Sequence, residues 1–370
     1  MGIGRFVYTP ILPLMVAQAG LTAHASALLA TANYIGYLAG AIIGIVAPKL
    51  IRSSLMLRVS LVAVVITVAL MPATTDVASW FALRLLTGVA SALIFVIAVS
   101  AMLSHLKHHP GLTGWGFGGV GAGIALAGVL VAIVRSISTW SAAWWASAIL
   151  AAVLSSFAWK LKTAPAPPLE AKSAGTAPPK SLGRFCALLV SYSLEGMGYI
   201  IAGTFLVAAI EERSPGWIGG GAWILVGLAA LPSCALWAWL AHRRSRPSLL
   251  LAALLVQAVG IALPALFAGV APALLSAVLF GATFLGVTTI ALGIGSLFPF
   301  PRAVAILTAG YSVGQILGPL IVAPVLAQGY QPALLISAGV VIIAAVAAAV
   351  LRIGFPRRLE SVQVRDESVR

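Results

Sequence analysis

Residues 184–209 read RFCALLVSYSLEGMGYIIAGTFLVAA, with one cation at the start, Arg184, and a single acid, Glu195, in the interior. About 20 predominantly apolar residues let an α-helix cross a hydrocarbon core ~30 Å thick. The stretch therefore predicts a transmembrane helix with a carboxyl group inside it. At 1.5 Å per residue, Glu195 lies ~16 Å from the Arg184 end, close to the bilayer midplane. An ionised carboxylate there costs on the order of 2.5–3.5 kcal/mol on insertion scales. It needs a cation or takes up a proton, and both behaviours suit a transport pathway.

The rest of the chain repeats this pattern. Apolar residues make up 61% of its 370 positions and charged residues 8%, against ~25% charged in a soluble domain. That much apolar surface does not fit inside one globule, so the remainder faces lipid. β-Barrel alternation is absent, and Ala- and Leu-rich segments favour helices. Spans are predicted at 1–19, 25–47, 55–73, 77–102, 113–134, 138–160, 184–209, 218–241, 248–268, 272–296, 303–325 and 332–354, with Pro, Gly or charge in the gaps. The fold class is an all-α membrane protein of about twelve transmembrane helices. The net charge of +14 sits mainly in the connections, which points to a lipid bilayer and not to nucleic acid. Cys186 and Cys234 lie inside apolar segments and form no disulfide framework or metal spacing.

Basic residues set the orientation. With the amino end inside, inner loops and tail hold eighteen of the 22 basic residues, among them Lys49, Arg52, Arg58, Lys107, Lys160, Arg243 and Arg246. Outer loops hold Arg135 and Arg213, while Arg5 and Arg84 fall within spans. Both termini are therefore expected in the cytoplasm of a bacterial inner-membrane protein. Residues 161–183, rich in Pro, Ala, Lys and Ser, read as a flexible linker between bundles at 1–160 and 184–354, with a tail at 355–370.

The halves look related. A shift of 194 lays Gly2-Ile3-Gly4-Arg5 on Gly196-Met197-Gly198-Tyr199, and Lys49, Arg52 and Ser54 on Arg243, Arg246 and Ser248. A shift of 193 lays Arg84 to Gly88 on Ala277 to Gly281 and Val120-Gly121 on Val313-Gly314. Matches at nearly one offset, in chain order, predict two parallel six-helix bundles related by pseudo-two-fold symmetry.

At these residues the chain resembles the major facilitator superfamily over almost its whole length, and within it the YbfB/YjiJ-like branch. The branch resemblance rests on Gly2 to Phe6 running to Pro13, and on Tyr192 to Thr204, which reads YSLEGMGYIIAGT. Gly44 to Arg52 occupies the gating motif between spans two and three, with Pro48 where the family usually has an acid; Lys49, Arg52, Arg243 and Arg246 are the gating-loop residues. Arg84-x-x-x-Gly88 matches the arginine pattern of span four. Gly119 to Gly128 lacks the proline of the antiporter motif, whereas Gly318-Pro319 occurs in span eleven. The resemblance implies alternating access, in which two bundles rock around a central site.

Arg5 and Arg84 lie ~21 and ~12 Å from the outer surface, too deep to reach water by snorkelling, and with Glu195 they are expected to face a polar cavity. Arg84 is read equally as a brace bonding backbone carbonyls of span one. Neutral polar residues follow helical spacing around them: Tyr8 and Thr9 beside Arg5, Asn33 with Tyr37, Tyr192 and Tyr199 beside Glu195, and Tyr311 with Gln315. Singly they read as interhelical hydrogen bonds of ~0.6 kcal/mol. As a set they fall on spans 1, 2, 7 and 11, which line the cavity in the resembled family. Gly36, Gly40 and Gly44, and Gly114 to Gly128, read as close helix packing. His105, His108 and His109 read as a solvated inner loop, with no metal site.

The expected function is secondary transport of a small organic molecule by a monomer, with proton coupling through Glu195 and no cofactor. Two intramembrane arginines against one glutamate favour an organic anion. A drug-type efflux antiporter and a non-transporting sensor or scaffold are the alternatives. No nucleophile–base pair, paired carboxylates or metal ligands support a membrane enzyme, and no repeated ring of residues supports a channel. The first span has no basic leader, so the natural protein is expected to carry roughly 10–15 more residues before Met1. A reporter that works only in the cytoplasm, fused after Arg370, is expected to be active; activity confined to a periplasmic reporter would overturn the orientation.

Overall fold

A computed structural model describes residues 1–105, 110–136, 138–161, 179–214, 216–298 and 302–354. Among these residues there are helices, turns and connections and no strand. The helices are α1 (Gly2–Phe6), α2 (Tyr8–Ala19), α3 (Ala23–Val46), α4 (Pro48–Ile51), α5 (Ser54–Leu70), α6 (Val77–His105) and α7 (Pro110–Arg135). They continue with α8 (Trp140–Ala158), α9 (Pro179–Arg213), α10 (Ile218–Ala241), α11 (Arg246–Leu266), α12 (Val270–Gly295), α13 (Ala303–Val322) and α14 (Gln331–Gly354). Eleven are long and apolar enough to cross a membrane, and residues 1–19 form two shorter helices in place of one unbroken span. The α9 helix starts at Pro179, inside the stretch expected as linker; His108, His109 and residues 162–178 and 355–370 lie outside the described residues.

Local chemistry fixes the ends. Thr22, Ser53 and Thr139 cap α3, α5 and α8 by accepting from the backbone N–H of Ala25, Met56 and Ala142, which satisfies donors that a first helical turn leaves free. Asp76 caps α6 by accepting from the Ser79 N–H at 2.9 Å and the Ser79 hydroxyl at 3.1 Å, and these bonds hold its carboxyl below the usual range. Between α1 and α2 the chain keeps helical dihedrals at Val7 (φ −67°, ψ −23°), whose N–H donates to the Ile3 carbonyl at 3.0 Å. Pro10 has no N–H for the carbonyl four residues back, Phe6, and its ring crowds that carbonyl, so the helical bonding is interrupted there.

Lipid supplies no hydrophobic drive between helices, so packing depends on close approach. Gly36 and Gly40 of α3 lie against the Leu85 and Val89 carbonyls of α6, and Gly88 of α6 lies against the Asn33 carbonyl of α3. In α7, Gly114, Gly118, Gly121 and Gly128 meet Ala235, Leu231, Gly227 and Ile224 of α10. Among the glycines expected to pack closely, Gly44 meets only the side chains of Ile51 and Val96, Gly116 only that of Met102, and Gly119 has open space. Helix α3 packs on α6, α5 on α6 and α8, α9 on α13 and α14, and α11 on α12 and α14. Between these groups run three seams, α7 with α10, α3 with α13, and α2 with α9. Large apolar side chains such as Ile66, Phe157, Val346 and Ile353 point outward, as lipid-facing surfaces require.

A side chain at Gly36 has no room against a backbone carbonyl, whereas Gly339 has open space. Gly36→Leu is expected to destabilise the protein by ~1–3 kcal/mol or more, read as a lower thermal midpoint in detergent, with Gly339→Leu unchanged. Equal midpoints for the two variants would remove the α3–α6 contact as a determinant of stability.

Candidate functional site

The site is built around α1. Arg84 projects from α6 and is 1% exposed. Its terminal nitrogens donate to the Gly4 carbonyl at 3.2 Å and the Arg5 carbonyl at 3.5 Å, and its guanidinium lies 4.9 Å from the Tyr8 ring centroid. These are the bonds of the bracing role expected for Arg84, whose planar fork spans two successive carbonyls. Asn33, expected at a cavity wall, instead donates from its amide to the Arg84 carbonyl at 3.0 Å, tying α3 to α6.

Held in this way, α1 presents Arg5, which is 5% exposed. One terminal nitrogen donates to the Tyr199 hydroxyl at 3.0 Å, across the seam to α9. Ring centroids of Tyr37, Phe6 and Tyr34 lie 4.3, 5.2 and 5.3 Å from its guanidinium carbon. Cation–π attraction offsets part of the desolvation cost of such a charge. The one ion pair among the described residues is Arg135–Glu211, so no carboxylate neutralises Arg5 there. Two more bonds cross the same region: Thr9 donates to the Gly203 carbonyl at 2.5 Å, and the hydroxyls of Tyr34 and Thr204 lie 3.3 Å apart.

Tyr199 is the hub on the far side. Its hydroxyl also accepts from the Gln315 amide at 3.0 Å. Its ring stacks on Phe284 at 5.6 Å and on Tyr311 at 5.7 Å, and Tyr311 stacks on Tyr192 at 4.4 Å. Close stacking of this kind is possible because Gly196 and Gly314 let α9 and α13 approach. Tyr37 and Tyr311 are only half-buried, unlike Tyr34, Tyr192 and Tyr199.

Glu195 differs from its expected placement beside the arginines. It is fully buried, and its carboxylate turns to α11, where one oxygen accepts from the Gln257 amide at 3.1 Å. Its other oxygen has no partner, nor have Gln257 Oε1, Asn33 Oδ1 or the Nε atoms of Arg5 and Arg84. Thr31 Oγ1, Ser91 Oγ, Trp144 Nε1, Trp223 Nε1 and Ser276 Oγ are unpaired as well, so such atoms are spread over several helices. The expected gating residues behave differently from one another. Arg246 donates to the Gly293 carbonyl at 3.0 Å, Arg243 lies 4.2 Å from the Trp239 ring, and Lys49 and Arg52 are exposed.

Sequence reasoning missed Gln257 and Tyr34. Gln257 is the one amide inside the apolar run of α11, a signal that an isolated polar residue in a span has a buried partner. Tyr34 stands three residues before Tyr37, at helical spacing.

Membrane-crossing helices around a buried polar centre, arranged in this fold, define a multi-pass transporter of the major facilitator type and not an enzyme. The chain belongs to the family described as the uncharacterised MFS-type transporter YbfB, which matches residues 1–349. Among solved structures it is similar to the nucleoside transporter NupG in its D323A mutant form, with a TM-score of 0.73 and 16% identity over 95% of this chain and 97% of that one. Another structure of NupG gives 0.70 and 17% identity over 95% and 96%. At such identity the likeness concerns the fold. No curated protein matches the chain.

Arg84→Lys keeps the charge and loses one of two carbonyl bonds. It is expected to cost ~1–3 kcal/mol, seen as a lower thermal midpoint with unchanged membrane insertion. A wild-type midpoint would show that a point charge is enough at this position.

Proposed function

We propose that the chain is a secondary active transporter that moves a small organic anion across the bacterial inner membrane by alternating access, with proton coupling through Glu195. The observation that carries this reading is Arg5, a buried guanidinium at the junction of the two halves, bonded to the Tyr199 hydroxyl and without a carboxylate among the described residues. A buried charge of this kind requires a partner, and a bound acid group supplies one. Arg5, Tyr37, Tyr199, Tyr311 and Gln315 are its proposed contacts, with Tyr8, Thr9, Asn33 and Arg84 holding the first helices in position. The nucleoside of the structural neighbour's name carries no ionised group at neutral pH, so Arg5 argues for a different substrate here.

The proposed architecture is twelve spans, with α1 and α2 together as the first, in two bundles around a pseudo-two-fold axis, both termini being cytoplasmic. Two observations support the axis. Arg5 bonds Tyr199 and Thr9 bonds Gly203, and each pair is separated by the same 194 positions that align the halves. Residues lying on a two-fold axis meet their own equivalents, so the coincidence fits that symmetry. The α7–α10 and α3–α13 seams likewise exchange under it. Arg135–Glu211, Thr9–Gly203 and Tyr34–Thr204 join the halves towards the outer side, which fits a conformation closed there.

Uptake into proteoliposomes of a panel of organic acids tests the reading. Arg5→Gln removes a charge-assisted bond of ~1.5–3 kcal/mol, or roughly 10- to 100-fold in affinity. It is expected to lose acid transport to that degree. Glu195→Gln is expected to abolish accumulation driven by a pH gradient while counterflow persists. Undiminished gradient-driven uptake by Glu195→Gln would refute the coupling role, and transport of neutral compounds alone would refute the anion.

A further inference from the structure

Away from the bundle centre, a groove of about 440 Å³ runs between α5 and the end of α8. Leu61, Val62, Val65 and Ile66 line it from α5, and Ser155 and Trp159 are among its lining residues on the other side. Val62 and Ile66 are exposed, so the groove opens on the surface that meets lipid tails. Lys160 stands at its end. There Arg58 crosses from α5 to Trp159: its Nε–H donates to the Trp159 carbonyl at 3.4 Å, and its guanidinium lies 5.6 Å from the indole. The terminal nitrogens of Arg58 and the ammonium of Lys160 have no carboxylate among the described residues, and both side chains are exposed.

We propose that this groove holds one anionic phospholipid, with an acyl chain along α5 and α8 and the phosphate-bearing headgroup at Arg58 and Lys160. The apolar wall and the charged mouth select for a molecule with both parts; a soluble anion uses only the mouth. Tryptophan at the headgroup level marks the depth at which the two parts join. A zwitterionic headgroup brings its own cation towards two cations, whereas a net negative one is attracted to both. The expected linker begins at Leu161, so a bound headgroup sits where the first half ends.

The full-length protein is reconstituted into phosphatidylcholine vesicles containing a minor fraction of either chain-brominated phosphatidylglycerol or chain-brominated phosphatidylcholine. Bromine quenches nearby indoles, and Trp159→Phe identifies the Trp159 share of the signal. Brominated phosphatidylglycerol is expected to quench that share with an apparent affinity roughly tenfold or more above the phosphatidylcholine form. The preference is expected to collapse in the Arg58→Gln/Lys160→Gln double variant and to survive in Arg58→Lys. Equal quenching by the two headgroups overturns the site. A preference that persists in the double variant, or that spares Trp159, places the lipid elsewhere and overturns it equally.

Discussion

Inside the hydrocarbon core no water replaces a lost hydrogen bond, so every backbone group freed there needs a protein partner. The first helix is tied to its neighbour by side-chain bonds to its own backbone, and the rest of the centre depends on that tie. Arg84 reaches from α6 to the Gly4 and Arg5 carbonyls. Asn33 bonds the Arg84 carbonyl, and Gly88, one turn along α6, sits against the Asn33 carbonyl. The brace is therefore held on both sides of its own backbone. Only with α1 fixed in this way does Arg5 meet Tyr199, 194 positions later. Arg84 is engaged by backbone carbonyls, whereas Arg5 meets a hydroxyl and aromatic rings.

Elsewhere glycine brings helices together. Where α7 meets α10, backbones come together at Gly121 and Gly227, and dispersion replaces the hydrophobic drive that lipid does not provide. A seam of glycines presents a smooth surface with few interlocking side chains. A seam of polar bonds, such as Thr9–Gly203 and Tyr34–Thr204, is discrete and must break as a unit. Under the proposed alternating access, the first kind is the seam along which backbones rock and the second is the latch.

Much of this was legible in the sequence because hydropathy and helical period are local. Helix existence, the close contacts of Gly36 and Gly40, and the burial of Arg5, Arg84 and Glu195 follow from residue type and spacing. Partner choice does not. Nothing local to Glu195 points to Gln257, which lies on another helix 62 positions away. Pro10 removes one helical donor, yet a span tolerates proline, and the chain keeps helical dihedrals at Val7. The start of α9 at Pro179 contradicts a composition that reads as linker, since proline in the first turn costs a helix nothing.

The separation of Glu195 from Arg5 bears on mechanism. Had the two paired, the centre would hold a neutralised cation and an acid with no reason to exchange a proton. Glu195 instead faces Gln257 within the second half, while Tyr199, one helical turn along α9, faces Arg5. A single helix thus carries the hydroxyl that positions the cation and the carboxyl that the proposed function uses for the proton. Under that proposal, a proton on Glu195 and an acid on Arg5 each remove one uncompensated charge from the same buried region, so loading both leaves less charge to desolvate when the bundles move than loading either alone. A proton on Glu195 also removes the negative charge that opposes an acid at Arg5, and an acid at Arg5 cancels the cation that favours ionised Glu195, so each raises the affinity for the other, which is a coupling free energy. It needs no direct contact between the two sites, only a shared helix and a shared low-dielectric interior.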